Sequence, residues 1–141
     1  MQPHVLRAYI DRGVQYDMPN NVLGTPITEK TAHTLSDMLS SSLENEASSA
    51  LVPGYRVAGK TGTASISTPS GYDPNWTNAS FVGWGPVDDP KFLVYVWLER
   101  PSTAEWGSVV AAPVFRKVFE RLVVLTNLPP DDVRLQIMNG Q

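Results

Sequence analysis

Lys60 sits in the stretch of this sequence whose residue types and spacing could do chemistry: Gly54-Tyr55-Arg56-Val57-Ala58-Gly59-Lys60-Thr61-Gly62-Thr63-Ala64. A glycine, four residues, then Gly-Lys-Thr is the spacing of a phosphate-binding loop. The apolar run at 92–98, followed by Glu99, even imitates a strand carrying a magnesium-binding acid. The context argues against nucleotide binding. Such a loop needs flexible backbone around the phosphates and a helix that starts at the lysine. Here Tyr55 and Val57 favour extended chain, and Gly62-Thr63-Ala64-Ser65-Ile66-Ser67-Thr68-Pro69 is a poor start to any helix.

The other reading puts Lys60 in a strand. Alternation then sets Tyr55, Val57, Gly59, Thr61 and Thr63 on one face and Arg56, Ala58, Lys60, Gly62 and Ala64 on the other. Glycine at the centre of an edge strand lets a second backbone come close, so a peptide can add as a further strand. A lysine ammonium and threonine hydroxyls beside it suit a carboxylate.

The elements that must hold this strand can be read from the pattern. Residues 4–10 alternate as a strand, Asp11-Arg12-Gly13 is a turn, and residues 14–17 are a short return strand. Thr28 is an N-cap with Glu29 in the first turn. Ala32, Leu35, Met38 or Leu39, and Leu43 then recur at helical spacing, which predicts a helix over 28–43. The serine-rich residues 40–49 are expected to end it in a solvated connection. Residues 65–77, rich in Ser, Thr, Gly, Pro and Asn, read as a long loop. Residues 79–85 read as a glycine-bearing strand, and Asp88-Asp89 as a solvated turn. The continuous apolar run 92–98 reads as a strand buried on both faces. A last helix begins near Pro113, with Val110, Val114, Val118, Leu122 and Leu125 as its apolar row and Arg116, Lys117, Glu120 and Arg121 opposite. The expected fold class is α+β: a three-stranded antiparallel meander with a C-terminal helix packed on it, and an N-terminal hairpin plus helix. Residues 1–130 are read as one part of a domain and 131–141 as a C-terminal tail.

Lys60-Thr61-Gly62-Thr63-Ala64 resembles the Lys-Thr-Gly element of the penicillin-recognising serine acyltransferases. The lead-in Tyr55-Arg56-Val57-Ala58-Gly59 strengthens the match, as do Ala79-Ser80-Phe81-Val82-Gly83-Trp84-Gly85-Pro86 and Val109-Val110-Ala111-Ala112-Pro113-Val114-Phe115. Together they resemble the class B penicillin-binding proteins, from Met1 to about Pro130. The resemblance implies a peptidoglycan DD-transpeptidase, in which a serine attacks a D-Ala-D-Ala stem peptide and β-lactams acylate the same serine. Lys60 would shape the electrostatics, and Thr61 and Thr63 would offer hydroxyls, the Thr63 hydroxyl gripping the substrate carboxylate. The Thr63 backbone N–H would be an oxyanion-hole donor, Gly62 would keep the strand bare, and Ala64 would close the binding strand. The resemblance also implies an N-terminal membrane anchor, a location outside the bacterial cytoplasm and a five-stranded sheet.

No serine here has lysine three positions on or asparagine two positions on, so the Ser-x-x-Lys and Ser-x-Asn motifs of that family are absent from these 141 residues. The expectation is an incomplete transpeptidase fold that forms no acyl-enzyme alone. Its strand at 92–98 would lack a neighbour, which invites a homodimer through the exposed sheet edge. A non-catalytic module that binds a peptide or a partner through Lys60–Ala64 remains the alternative.

Composition limits the rest. With 42% apolar and 18% charged residues the chain is globular, and a net charge of −3 without a basic stripe argues against nucleic acid. There is no cysteine, and His4 and His33 lack metal-ligand spacing, so neither metal nor cofactor is expected. No apolar stretch reaches a membrane span, and Met1-Gln2-Pro3-His4 does not open a signal peptide. Trp84 and Trp97 are expected in the core, while Trp76 and Trp106 fall in loops, where a role beside the substrate groove is the lesser reading. Asn75-Trp76-Thr77 and Asn78-Ala79-Ser80 match the glycosylation pattern by chance.

Overall fold

Alternation at residues 79–85 and 92–98, with a turn between, produces an antiparallel meander of β3 (Ala58–Thr68), β4 (Gly71–Gly85) and β5 (Phe92–Glu99), in the order β3-β4-β5. These strands come from a computed structural model, which describes residues 5–138 and 140. The preceding elements are β1 (Ala8–Asp11), β2 (Val14–Asp17) and α1 (Glu29–Glu46). After the sheet come α2 (Gly107–Val110), α3 (Ala112–Leu125) and α4 (Asp131–Met138). The architecture is mixed α and β, as expected. No helix among the described residues is long and apolar enough to cross a membrane.

The chain divides into two units, residues 1–32 and 33–141. In the first, Arg12 and Gly13 both take positive φ, 49° and 80°, the turn that matches the twist of a two-residue hairpin. Tyr9 stacks on Tyr16 across it at 5.1 Å. Strand geometry is confined to Ala8–Asp11, so residues 5–7 of the expected first strand are not in it, and His4 lies outside the described residues. Thr28 caps α1, its Oγ1 accepting the Thr31 N–H at 3.2 Å.

The expected serine-rich break does not occur, and α1 runs on to Glu46. Ser41 and Ser42 donate to the carbonyls of Asp37 and Leu39, which satisfies both hydroxyls without leaving the helix. The buried stripe is Ser36, Ser40 and Leu43 on the helix and then Ala47, while Leu35 and Met38 are exposed. Small side chains win the inward face because α1 packs close: the Trp84 indole N–H donates to Ser36 Oγ at 3.1 Å. Nor are 47–50 a fully solvated connection, although Ser48 is exposed. Ala47 and Ala50 are buried, and Ser49 Oγ donates to the Ser108 carbonyl at 2.7 Å.

Residues 65–77, expected as a loop, extend β3 and β4 into a long ribbon that turns at Pro69-Ser70. Ser65 pairs with Thr77 but Ser67 pairs with Tyr72, so residues 73–76 of β4 bulge out of register. A two-stranded ribbon wet on both faces needs no apolar alternation, and composition alone could not reveal it.

The core lies between the sheet and α3. Phe81, Phe115 and Phe119 are fully buried, and each contributes about 1.5–3 kcal/mol by burial. The inward face of α3 is Ala112, Phe115, Phe119 and Val123, one residue out of phase with the row expected from sequence. Val114, Val118 and Leu125 are exposed. Both rows are apolar, and the one with the large rings took the core. β5 is also one-sided, against expectation. Val94 and Val96 pack inward, whereas Leu93, Tyr95 and Trp97 are 69%, 61% and 51% exposed. Trp97 is therefore not a core residue in this chain.

The tail residues 131–138 form α4, tied back to the body. Arg134 is buried and pairs with Asp88 at 2.7 Å and Asp131 at 2.8 Å, so Asp88 is not a plain solvated turn residue. Asp131 also accepts the Arg56 backbone N–H at 2.6 Å.

Candidate substrate-binding strand

β3 is an edge strand, pairing only with β4 among the described residues. Its register with β4 sets Ala58 opposite Trp84, Lys60 opposite Val82, Gly62 opposite Ser80 and Ala64 opposite Asn78. These four β3 residues share the face on which Trp84 meets α1. Gly59, Thr61 and Thr63 share the other face, where Phe81 and α3 lie. The alternation read from sequence is thus the observed one.

The glycines explain how closely this strand is held. A Cβ on Gly59 would lie 2.6 Å from the Val82 carbonyl oxygen and 2.7 Å from the Phe81 ring, so only glycine fits. Gly107, the first residue of α2, is equally confined: its Cβ would lie 2.2 Å from the Ser80 carbonyl oxygen and 2.8 Å from that of Gly62. Its backbone N–H donates to Thr63 Oγ1 at 3.4 Å. Thr63 is thereby fixed from the α2 side while its hydroxyl proton stays available. Thr61 and Gly62 are half-buried, and Lys60, Thr63 and Ala64 are exposed.

On the opposite face, the acids of α1 pair with β3 and with the residues that lead into it. Arg56 pairs with Asp37 at 2.8 Å, and the Lys60 ammonium pairs with Glu46 at 2.5 Å. Glu46 is the last residue of α1, where the partial negative charge of the helix end also favours a cation. Sequence reading singled out Lys60 but not Glu46. The two are 14 positions apart, and only a helix that continues through the serines brings them together.

Beyond Ala64, a cleft of about 260 Å³ is lined by Asn75, Trp76, Thr77 and residues 101–105. Thr77, which pairs with Ser65, donates its hydroxyl to the Glu105 carbonyl at 3.3 Å. Trp76 is 41% exposed at this cleft, and Trp106 is 59% exposed just before α2. Among the described residues no group of three or more His, Cys, Asp or Glu could hold a metal ion.

Comparison with known proteins agrees with this fold. The family described as penicillin binding protein transpeptidase domain matches residues 1–120. The stage V sporulation protein D of Bacillus subtilis is 41% identical over 90 residues, covering 62% of this chain and 14% of that protein. The probable peptidoglycan D,D-transpeptidase PbpC of Pseudomonas aeruginosa is 31% identical over 121 residues, 84% of this chain and 21% of that one. Among solved structures, penicillin-binding protein 3 of Mycobacterium tuberculosis in its apo form superposes with a TM-score of 0.77 at 27% identity, over 88% of this chain and 31% of that chain. The same protein has been solved in complex with ampicillin. The chain therefore spans about a seventh to a fifth of the length of these two curated relatives. By the extent of the family match and the agreement of sheet and helices, the chain belongs to the penicillin-binding protein transpeptidase family.

Proposed function

We propose that this chain supplies the substrate-binding strand of a peptidoglycan D,D-transpeptidase. The observation that carries the reading is the open outer edge of β3, with Lys60 and Gly62 on one face and Thr63 steadied from the other by Gly107. A stem peptide ending in D-Ala-D-Ala adds along this edge through main-chain hydrogen bonds. The Thr63 hydroxyl grips its carboxylate, Lys60 supplies the positive field around that carboxylate, Thr61 offers a second hydroxyl, Gly62 leaves room for the peptide backbone, and Ala64 belongs to the same binding strand. The Thr63 N–H serves as an oxyanion-hole donor, a contact worth about 3–4 kcal/mol to the transition state. β-Lactams, which the Mycobacterium tuberculosis relative binds as ampicillin, would use the same strand.

The acylated serine must come from outside these residues, since no Ser-x-x-Lys occurs among them. The working enzyme would be anchored in the bacterial cytoplasmic membrane with this domain outside the cytoplasm. By itself, the chain would pair with a second copy through the bare edge of β5.

The test is incubation of the 141-residue chain with a fluorescent penicillin, read by intact mass, beside a titration with a D-Ala-D-Ala peptide followed by ¹⁵N shifts. The expected result is no covalent adduct and saturable shifts at residues 60–64. A covalent adduct would reveal a nucleophile within the chain and overturn the assignment of roles. Magnesium-dependent ATP binding without peptide binding would restore the phosphate-loop reading.

A further inference from the structure

Glu46 is the residue that the proposed function leaves without a role. It projects from the end of α1 onto the ammonium of Lys60, the group assigned to a carboxylate-bearing substrate. Its position is set by the helix rather than by chance. Ser36 to Trp84 and Asp37 to Arg56 fasten α1 along the same face of the sheet, and buried Leu43 anchors the turn before Glu46. Both partners are about half exposed, so the contact can open at modest cost.

We infer that Glu46 is a built-in competitor for the carboxylate site of β3, a specificity-determining residue that an anionic peptide end must displace from Lys60. The inference rests on the reading of β3 as a peptide-binding strand. A ligand carboxylate reaching Lys60 meets a site already neutralised and flanked by a second negative charge. A neutral ligand end meets no such obstacle. Glu46 therefore weakens binding of acids relative to amides, by roughly the two- to fivefold that an exposed ion pair is worth.

The experiment compares N-acetyl-D-Ala-D-Ala with its C-terminal amide, titrated into the wild-type chain, Glu46→Gln and Glu44→Gln, with ¹⁵N shifts at residues 60–64 as readout. Glu44→Gln removes the same net charge from an exposed neighbour on α1. Glu46→Gln is expected to tighten binding of the acid two- to fivefold and leave the amide unchanged, and Glu44→Gln to change neither. An unchanged acid affinity in Glu46→Gln, or equal weakening of both ligands, overturns the inference while leaving the peptide-binding reading intact. A second readout needs no peptide. Acetylation of Lys60 by acetic anhydride, measured against Lys91 and Lys117 by mass spectrometry, should speed up in Glu46→Gln. If neither ligand shifts residues 60–64 in any variant, the peptide-binding reading fails. Faster labelling of Lys60 would then show that the pair exists but that no peptide carboxylate competes for it, which also overturns the inference.

Discussion

Gly83 lies flush against the ring of Phe115, so close that a Cβ at position 83 would come within 2.6 Å of Phe115 Cε2 and 2.7 Å of Cζ. The contact lets α3 sit directly on β4 and lets Phe81 and Phe115 meet with centroids 4.9 Å apart. Gly83→Ala must push Phe115 off its position in a fully buried cluster. The expected loss is about 1–3 kcal/mol, visible as a lower urea midpoint with unchanged slope. An unchanged midpoint would mean that α3 is not seated on the sheet as described.

Gly62 offers the contrasting case. Its Cβ would lie 2.5 Å from Ser80 Oγ, the mobile end of a small side chain, with nothing else nearer than 3.9 Å. Rotation of one hydroxyl relieves that clash, and alanine also restricts the unfolded chain. Gly62→Ala should stay within about 1 kcal/mol of wild type in stability. Because the added methyl stands on the lysine face of β3, the same variant should lose the peptide-induced shifts at residues 60–64. Stable protein that still binds peptide would remove Gly62 from the site.

These two glycines show what could be read in advance. The strand that carries Lys60 and its alternation were legible, because Lys60 and Gly62 lie in a segment whose neighbours are strongly patterned. The meander and the final helix were legible for the same reason. What escaped depends on contacts between distant segments. The inward stripe of α1 is Ser36, Ser40 and Leu43, chosen by the close approach of Trp84 and not by hydrophobicity. The Phe115 and Phe119 row outcompeted the valine row of α3, and nothing in the helix alone ranks two apolar rows. The ribbon at residues 65–77 has the composition of a loop because both its faces meet water. Trp97 and Tyr95 look like core residues in sequence, but no described segment covers them.

Arg134 makes α4 sensitive to acid. Burial alone would raise the Asp88 carboxyl. The hydrogen bond from Arg134, donors from the backbone of Asp88 and Asp89, and the Arg134 charge together hold it below the usual carboxylate range. A carboxyl depressed in the folded state adds stability above its unfolded value, near 4, and that stability is lost as pH falls through the folded value. Asp88 is one-third exposed, which limits the effect to about 1 kcal/mol or less. The protection factors of the α4 amides, exchange rates corrected for the intrinsic pH dependence, should therefore fall below about pH 4, and Asp88→Asn should flatten that dependence. Arg134→Met, which leaves Asp131 and Asp88 without their cation, should cost about 1–3 kcal/mol at neutral pH. Protection factors in α4 that are independent of pH across this range, in both proteins, would remove the ion pair from the account.

β5 ends the sheet with an apolar surface rather than a protected edge. Leu93, Tyr95 and Trp97 project from one face, and the outer edge of the strand has no partner among the described residues. Charge, the usual protection of an exposed edge, is limited on this face to Glu99 at the end of the strand. Unpaired backbone groups beside three large apolar side chains form a template for another strand and a patch that water solvates poorly. The chain should therefore associate as its concentration rises, giving a concentration-dependent mass in sedimentation or light scattering. Tyr95→Thr with Trp97→Thr keeps residues of good strand propensity and removes only exposed apolar surface. That double variant should be monomeric with stability within about 1 kcal/mol of wild type, since neither side chain contributes to the core. A wild-type chain that stays monodisperse at several hundred micromolar would show that the bare edge is too weak to recruit a second copy. Association that persists in the double variant would move the contact away from β5.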